Sequence, residues 1–203
     1  MLNKVKLTNE EMREFAKVFA DYDYGDDEIG MVPYFSGYPD RSKLIDYLVA
    51  MIKTANEFNA VYATPDKEGI IILTDTTHPY PFAANLKMLI GMIKALGMSN
   101  FVEIIKKFQA GGASLEKTYR DSKKEFVQIE LLAIKAEYQG KGFMRPLVET
   151  AFEIAKKGNL PVIVSTDAKL KKDKYEHIGM EHINTRKLGE KSFMYDLVRR
   201  SVN

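Results

Sequence analysis

The 203-residue chain has no cysteine and no tryptophan, and its only imidazoles are His78, His177 and His182. Without cysteine there is no disulfide, no thiol nucleophile and no thiolate zinc site, which fits a reducing compartment, and a cytoplasmic location is expected. His177 and His182 are five apart and do not stack on one helical face, so no metal is expected. Charge of one sign is also missing: thirty Lys and Arg face twenty-eight Asp and Glu, for a net +2. That balance lacks the basic footprint that neutralises phosphates, so no nucleic-acid partner is expected. Long hydrophobic runs are absent too. The longest, 86–97, is interrupted by Lys87 and Lys94, and the opening MLNKVKLTNEEMREF has no apolar signal core, so neither a membrane span nor signal-directed export is expected. No fixed-period repeat or low-complexity linker divides the chain, and residues 1–203 read as a single domain.

What is present is an alternation of periods. Thr8 with Glu11 forms a capping box, and Met12, Phe15, Ala16 and Phe19 recur at helical spacing, which predicts a helix over 9–20. Residues 21–40 carry six acids, no Lys or Arg, and Tyr22, Tyr24, Tyr34, Phe35 and Tyr38; glycines and prolines make this stretch a loop. A second helix is predicted from near Asp40, with Ile45, Leu48, Val49 and Ile52 as its stripe, and then β-rich runs at 59–64 and 69–74 around a turn. Residues 82–119 read as helical, broken by Gly97 and Gly111-Gly112.

The run 125–134 reads as an internal strand, with Val127, Ile129, Leu131 and Ala133 on one face and Phe126, Gln128, Glu130, Leu132 and Ile134 on the other. A Gly-rich turn follows, and then a helix to about Lys157 that keeps Pro146 in its first turn. A strand at 161–166, a helix capped by Asp167 and ended by Gly179, and a hairpin at 181–198 complete the chain. A strand that enters a glycine turn and then a helix start is a physical device for anions, because close backbone approach meets unpaired N–H groups and the positive end of the helix dipole.

The stretch Leu131-Leu132-Ala133-Ile134 followed by Lys-Ala-Glu-Tyr-Gln-Gly-Lys-Gly-Phe-Met resembles the acetyl-CoA motif of the GNAT superfamily of N-acetyltransferases. That motif is Gln or Arg, two residues, Gly, one residue, then Gly or Ala; here it becomes Gln139, Gly142 and Met144, with Met144 departing from the small residue. The segment Lys174-Tyr175-Glu176-His177-Ile178-Gly179-Met180 is similar to the family's Tyr-Glu-x-Leu-Gly-Phe, while the Asn common before that helix is replaced by Thr166, Asp167 and Ala168. About residues 125–198 carry the resemblance.

The resemblance implies an α/β fold: a GNAT-like mixed, partly splayed β-sheet flanked by helices, with a helical insert at about 82–119 between the third and fourth strands. It implies acetyl-CoA as cosubstrate and direct transfer of the acetyl group to a primary amine on a small molecule or a protein. Backbone groups of Leu132, Ala133 and Ile134 would meet the pantetheine, and those of Gln139, Gly140, Lys141, Gly142, Phe143 and Met144 the pyrophosphate. An oxyanion would form near the N–H of Ala133 or Ile134. Tyr175 matches the family's proton donor. Glu130, with Gln128 beside it, is the candidate base. A second reading keeps the cleft without catalysis, as a non-catalytic acyl-CoA-binding sensor. The acidic aromatic loop either cages a cationic amine or is a solvated loop, and Lys169, Lys171, Lys172 and Lys174 read as an exposed helix face or as partners of the 3′-phosphate of CoA. The edge of the C-terminal hairpin is open to pairing with a second copy as a homodimer.

Overall fold

The computed structural model describes residues 1–25, 27–30, 33, 35 and 41–201. Within them seven strands form one sheet: β1 (Asn3–Lys4), β2 (Val61–Ala63), β3 (Gly69–Asp75), β4 (Val127–Ile134), β5 (Val162–Thr166), β6 (Glu181–Lys187) and β7 (Phe193–Arg199). Their order across the sheet is β1-β2-β3-β4-β5-β7-β6, and every described pair is antiparallel except β4 with β5. A parallel pair needs a crossover, and helix α6 (Met144–Gly158) supplies it.

The other helices are α1 (Asn9–Ala20), α2 (Ser42–Glu57), α3 (Phe82–Leu96), α4 (Met98–Ala110), α5 (Leu115–Asp121) and α7 (Lys169–His177). The capping box of α1 forms as the sequence implies: Thr8 Oγ1 accepts from Glu11 N–H, and Glu11 Oε2 accepts from Thr8 N–H. In α6, Leu147, Val148, Ala151 and Ala155 make a buried stripe, and Pro146 stands in the first turn, where its missing N–H has no intrahelical partner. Gly158 is its last residue, and it is Asn159, at φ 53°, that turns the chain out of it.

Two layers enclose the sheet. Phe15, Ile52, Ile70, Ile72, Leu131 and Ala133 pack beneath α1 and α2, while Ile71, Val127, Ile129, Leu147, Val164 and Tyr175 pack beneath α6 and α7. This assignment corrects the simple alternation expected for β4. Ile72 pairs with Leu131 and Leu73 with Ile129, so Glu130 is an extra residue without an opposite on β3. Such a bulge reverses the side-chain parity beyond it. Leu131 and Ala133 therefore leave the face of Val127 and Ile129, and Leu132 and Ile134 take their place on it.

Helices α3 and α4 leave Phe82, Leu86, Ile90, Met98 and Val102 exposed. Among the described residues no single helix is long and apolar enough to cross a membrane.

Candidate active site

The bulge opens a fork. Pairing of β4 with β5 runs from Val127↔Val162 to Ile129↔Val164 and stops, although β4 continues to Ile134 and β5 to Thr166. Over its whole length β5 stays paired with β7. Lys135 N–H donates to Glu68 O at 2.9 Å, and strand alternation then turns the backbone groups of Ala133 toward β3 and those of Leu132 and Ile134 toward the open side. Gln139 Nε2 reaches back to Ile134 O at 3.0 Å, so its side chain braces the end of the fork.

At the mouth of the fork lies the glycine turn. Gly140 and Gly142 have φ of 75° and 87°, and a Cβ built on either would meet no atom within 4 Å, which leaves an open, backbone-lined surface. Helix α6 begins there with neither a side-chain cap nor an acid in its first turn. Arg145 N–H donates to Gly142 O at 3.3 Å, and the dipole and the other first N–H groups of the helix can meet an anion. Lys141 is exposed, with Nζ 5.6 Å from the Tyr138 ring, and Phe143 packs edge-on to that ring. Met144 is half-buried and packs into the core beneath α6, away from the turn. Fork, turn and helix start together fit an extended ligand that carries a phosphate group.

Tyr175 comes from the last turns of α7 and is buried among the residues beneath α6 and α7. Its hydroxyl has no hydrogen-bond partner among the described residues, and burial raises its pKa, so the phenol is protonated at neutral pH.

Glu130 lies on the α2 side. Thr74 Oγ1 donates to Oε1 at 2.8 Å, and Gln128 Nε2 stands 3.3 Å from Oε2. Burial pushes its carboxyl up to about 7; the Thr74 bond opposes the shift, Glu116 adds to it and Arg120 opposes it. Tyr80 OH and Gln128 Oε1 are buried without partners among the described residues. Burial, and then the charge of Glu130, raise the pKa of Tyr80. Glu130 thus sits among polar groups whose hydrogen-bonding capacity is unfilled, and sequence reasoning found Gln128 but not Thr74 or Tyr80.

The acidic loop docks on α7. Tyr24 OH donates to Asp167 Oδ2 at 2.6 Å, Lys171 Nζ donates to Asp167 Oδ1 at 2.9 Å, and Glu28 Oε2 accepts Lys169 N–H at 2.7 Å. Asp167 is therefore not the cap expected of it: Ala168 occupies the N-cap position without a side-chain bond, and Glu28 satisfies the helix end from the loop. The lysines of α7 do not form one exposed face. Lys169 and Lys172 pair with Asp173, and Lys171 and Lys172 are both largely buried, at 14% and 16% exposure. Asp26, Tyr34, Tyr38 and Asp40 of the predicted loop lie outside the described residues. A surface hollow of about 600 Å³ is lined by Tyr119, Lys124, Pro161 and Arg200 at the opposite end of β4 and β5 and has no part in the fork.

Comparison with known proteins bears on the fold. The acetyltransferase (GNAT) family matches residues 89–172. An N-acetyltransferase from Staphylococcus aureus superposes with a TM-score of 0.56 at 17% identity, covering 98% of this chain and 100% of its own. An agmatine N-acetyltransferase variant in its apo form gives 0.58 at 9% identity, with 96% of each chain covered. The polyamine N-acetyltransferase of Drosophila melanogaster gives 0.53 at 9% identity, covering 96% of this chain and 97% of its own. At such identities the likeness is one of fold. No curated protein matches this chain in sequence.

Proposed function

We propose that this chain is a GNAT-type N-acetyltransferase that moves the acetyl group of acetyl-CoA to a primary amine by direct attack, with both substrates bound together. The observation that carries the reading is the convergence of three features: an unpaired stretch of β4, a glycine turn opening an uncapped helix, and the phenol of Tyr175, whose pKa burial raises.

Acetyl-CoA, when bound, supplies a thioester whose carbonyl carbon is the electrophile. Backbone groups of Leu132 and Ile134 offer hydrogen bonds to its amide-bearing arm, and the N–H groups of Gly140, Gly142, Phe143 and Met144 hold the pyrophosphate, those of Gln139 and Lys141 being bonded to Ala136 O and Tyr138 O. The Ile134 N–H, facing the fork, is the donor placed to stabilise negative charge on the carbonyl oxygen. Tyr175 gives its proton to the departing thiolate; a phenol kept protonated by burial suits that task. An alkylammonium must lose a proton before it can attack, and Glu130, with a pKa near neutrality, is the base that takes it. The orphan Gln128 Oε1 accepts from the same amine. Acceptors named for two of the fold neighbours, agmatine and polyamines, support an alkylamine as the substrate class.

The test is Tyr175→Phe, followed by thiol release with a panel of alkylamines. Turnover is expected to fall about a hundredfold, with acetyl-CoA affinity nearly unchanged. Equal turnover in the variant removes Tyr175 from the mechanism, and cofactor binding without turnover by any amine in the wild type favours the acyl-CoA sensor instead.

A further inference from the structure

Lysines on a surface helix ordinarily keep the ammonium in water and pair, if at all, with a neighbour one turn away. Lys169 pairs so with Asp173, Lys172 with Glu176 and Lys171 with Asp167. Lys171 differs in what else surrounds its ammonium. Its side chain is 14% exposed, and its Nζ lies 4.1 Å from the ring centre of Tyr22, 4.5 Å from that of Phe19 and 5.1 Å from that of Tyr24. Asp167 Oδ1 closes the group at 2.9 Å. Tyr22 and Tyr24 meet edge to face at 5.3 Å, and Tyr24 OH donates to the other oxygen of Asp167 at 2.6 Å, so rings and carboxylate fix one another. Three aromatic faces and a carboxylate around one ammonium are the chemistry that recognises alkylammonium ligands. The cage is built from α1, the acidic loop and the end of β5; only its occupant comes from α7.

Its place in the fold gives this arrangement meaning. Asp167 directly follows Thr166, the last residue of the strand from which β4 diverges. Asp167, Lys171 and Tyr175 are spaced by four, which sets them along one stripe at the start of and along α7. Lys171 is therefore rooted one helical turn before Tyr175 on α7. A carboxylate and aromatic faces favour the charged form of an amine, so the cage is a poor place for the attacking nitrogen and a good one for a second nitrogen that stays an ammonium.

We propose that the cage of Phe19, Tyr22, Tyr24 and Asp167 is an alkylammonium subsite for the distal charge of a diamine-type acceptor, and that Lys171 fills it until such a ligand displaces it. The class of acceptor rests on the acetyltransferase reading above; the subsite does not, and it is tested without acetyl-CoA. The probe is butyltrimethylammonium, which carries the charge but cannot react with acylating reagents.

Two measurements bear on the subsite. In limited lysine acylation of the wild type read by mass spectrometry, Lys171 is expected to label slowest of the four lysines of α7, and added probe is expected to speed its labelling several-fold while leaving Lys169 and Lys172 unchanged; Lys174, whose Nζ lies 5.9 Å from the Tyr22 ring, is not a control. In calorimetric titration, Lys171→Met, which empties the cage but retains an apolar stem, is expected to bind the probe about tenfold more tightly than the wild type, and Asp167→Asn in that background to reverse the gain. Labelling of Lys171 unaffected by saturating probe overturns the proposal even where the variant fails to fold. A folded Lys171→Met that binds no better than the wild type overturns it as well and leaves Lys171 as a brace between loop and helix. Normal acetyl-CoA binding in the wild type beside either negative result leaves the acetyltransferase reading intact.

Discussion

The carboxylate of Glu28 accepts the backbone N–H of Lys169 at 2.7 Å, so a loop residue caps the helix that carries Tyr175. The same carboxylate accepts a hydrogen bond from the Tyr195 hydroxyl, tying loop, α7 and β7 at one point. An anion at a helix N-terminus satisfies an orphan donor and meets the dipole. Glu28→Ala is expected to cost about 1–2 kcal/mol in urea denaturation, and Glu28→Gln less, because the amide oxygen still accepts. A neutral Glu28→Ala would mean that the loop does not hold α7.

Glu130 gives stability a pH dependence of definite sign. Its folded pKa of about 7 lies above the ordinary 4.5, so the native state binds this proton more tightly than the unfolded chain does. The contribution is fully present below pH 4.5 and is lost as pH rises through 7, where the carboxylate must ionise in a buried setting. Glu130→Gln, isosteric and neutral, is expected to gain on the wild type between pH 5 and pH 8 by about 1–3 kcal/mol. Thermal melts of both proteins across that range measure the difference, and parallel curves would place the carboxyl in water.

If Glu130 is the base, the same substitution acts on rate in the opposite direction. Turnover of the wild type should rise with pH through about 7 as the carboxylate forms. In Glu130→Gln it is expected to drop about a hundredfold and to lose that limb of the profile. A pH–rate curve that keeps its limb in the variant assigns the proton transfer to another group.

Arg186 and Asp196 form a buried bidentate pair, with Nε to Oδ2 at 3.0 Å and Nη2 to Oδ1 at 3.1 Å. Ser165 and Asn184 donate to the same carboxylate, so one side chain ties β5, β6 and β7 beside the fork. Asp196→Ala is expected to cost about 3–5 kcal/mol, because it strands a buried guanidinium. Replacing both partners by apolar residues of similar volume should cost much less, which denaturation of the single and double variants will show.

Residues whose role follows from local pattern were legible in the sequence. The cap of α1, the glycine turn, the stripe of α6 and the parallel unit from β4 to β5 follow from spacing and from the conformations that Gly and Pro permit. The bulge at Glu130 was not, because the run Val-Gln-Ile-Glu-Leu-Leu-Ala-Ile is compatible with unbroken alternation and the extra residue is defined only by what Leu73 and Ile72 pair with. The cap of α7 was hidden for a similar reason: Asp167 has the right chemistry and position, but Tyr24 and Lys171 claim it, and Glu28, 141 residues away from Lys169, replaces it. Lys171 read as one surface lysine among four, since only tertiary contact distinguishes a caged ammonium from a solvated one. The short β1 has two residues and no periodicity to detect.

The central claim is that the glycine turn at the mouth of the fork receives the phosphates of acetyl-CoA. Calorimetric titration of acetyl-CoA into the wild type and Gly142→Glu tests it, with Gly97→Glu as control. Gly97 has a similar φ of 79° and equal free space, but it lies between α3 and α4, so its substitution carries the same backbone strain without placing a charge at the turn. Binding by the wild type and Gly97→Glu, with loss in Gly142→Glu, is the predicted result. Equal binding by all three proteins, or none by the wild type at millimolar cofactor, would contradict it.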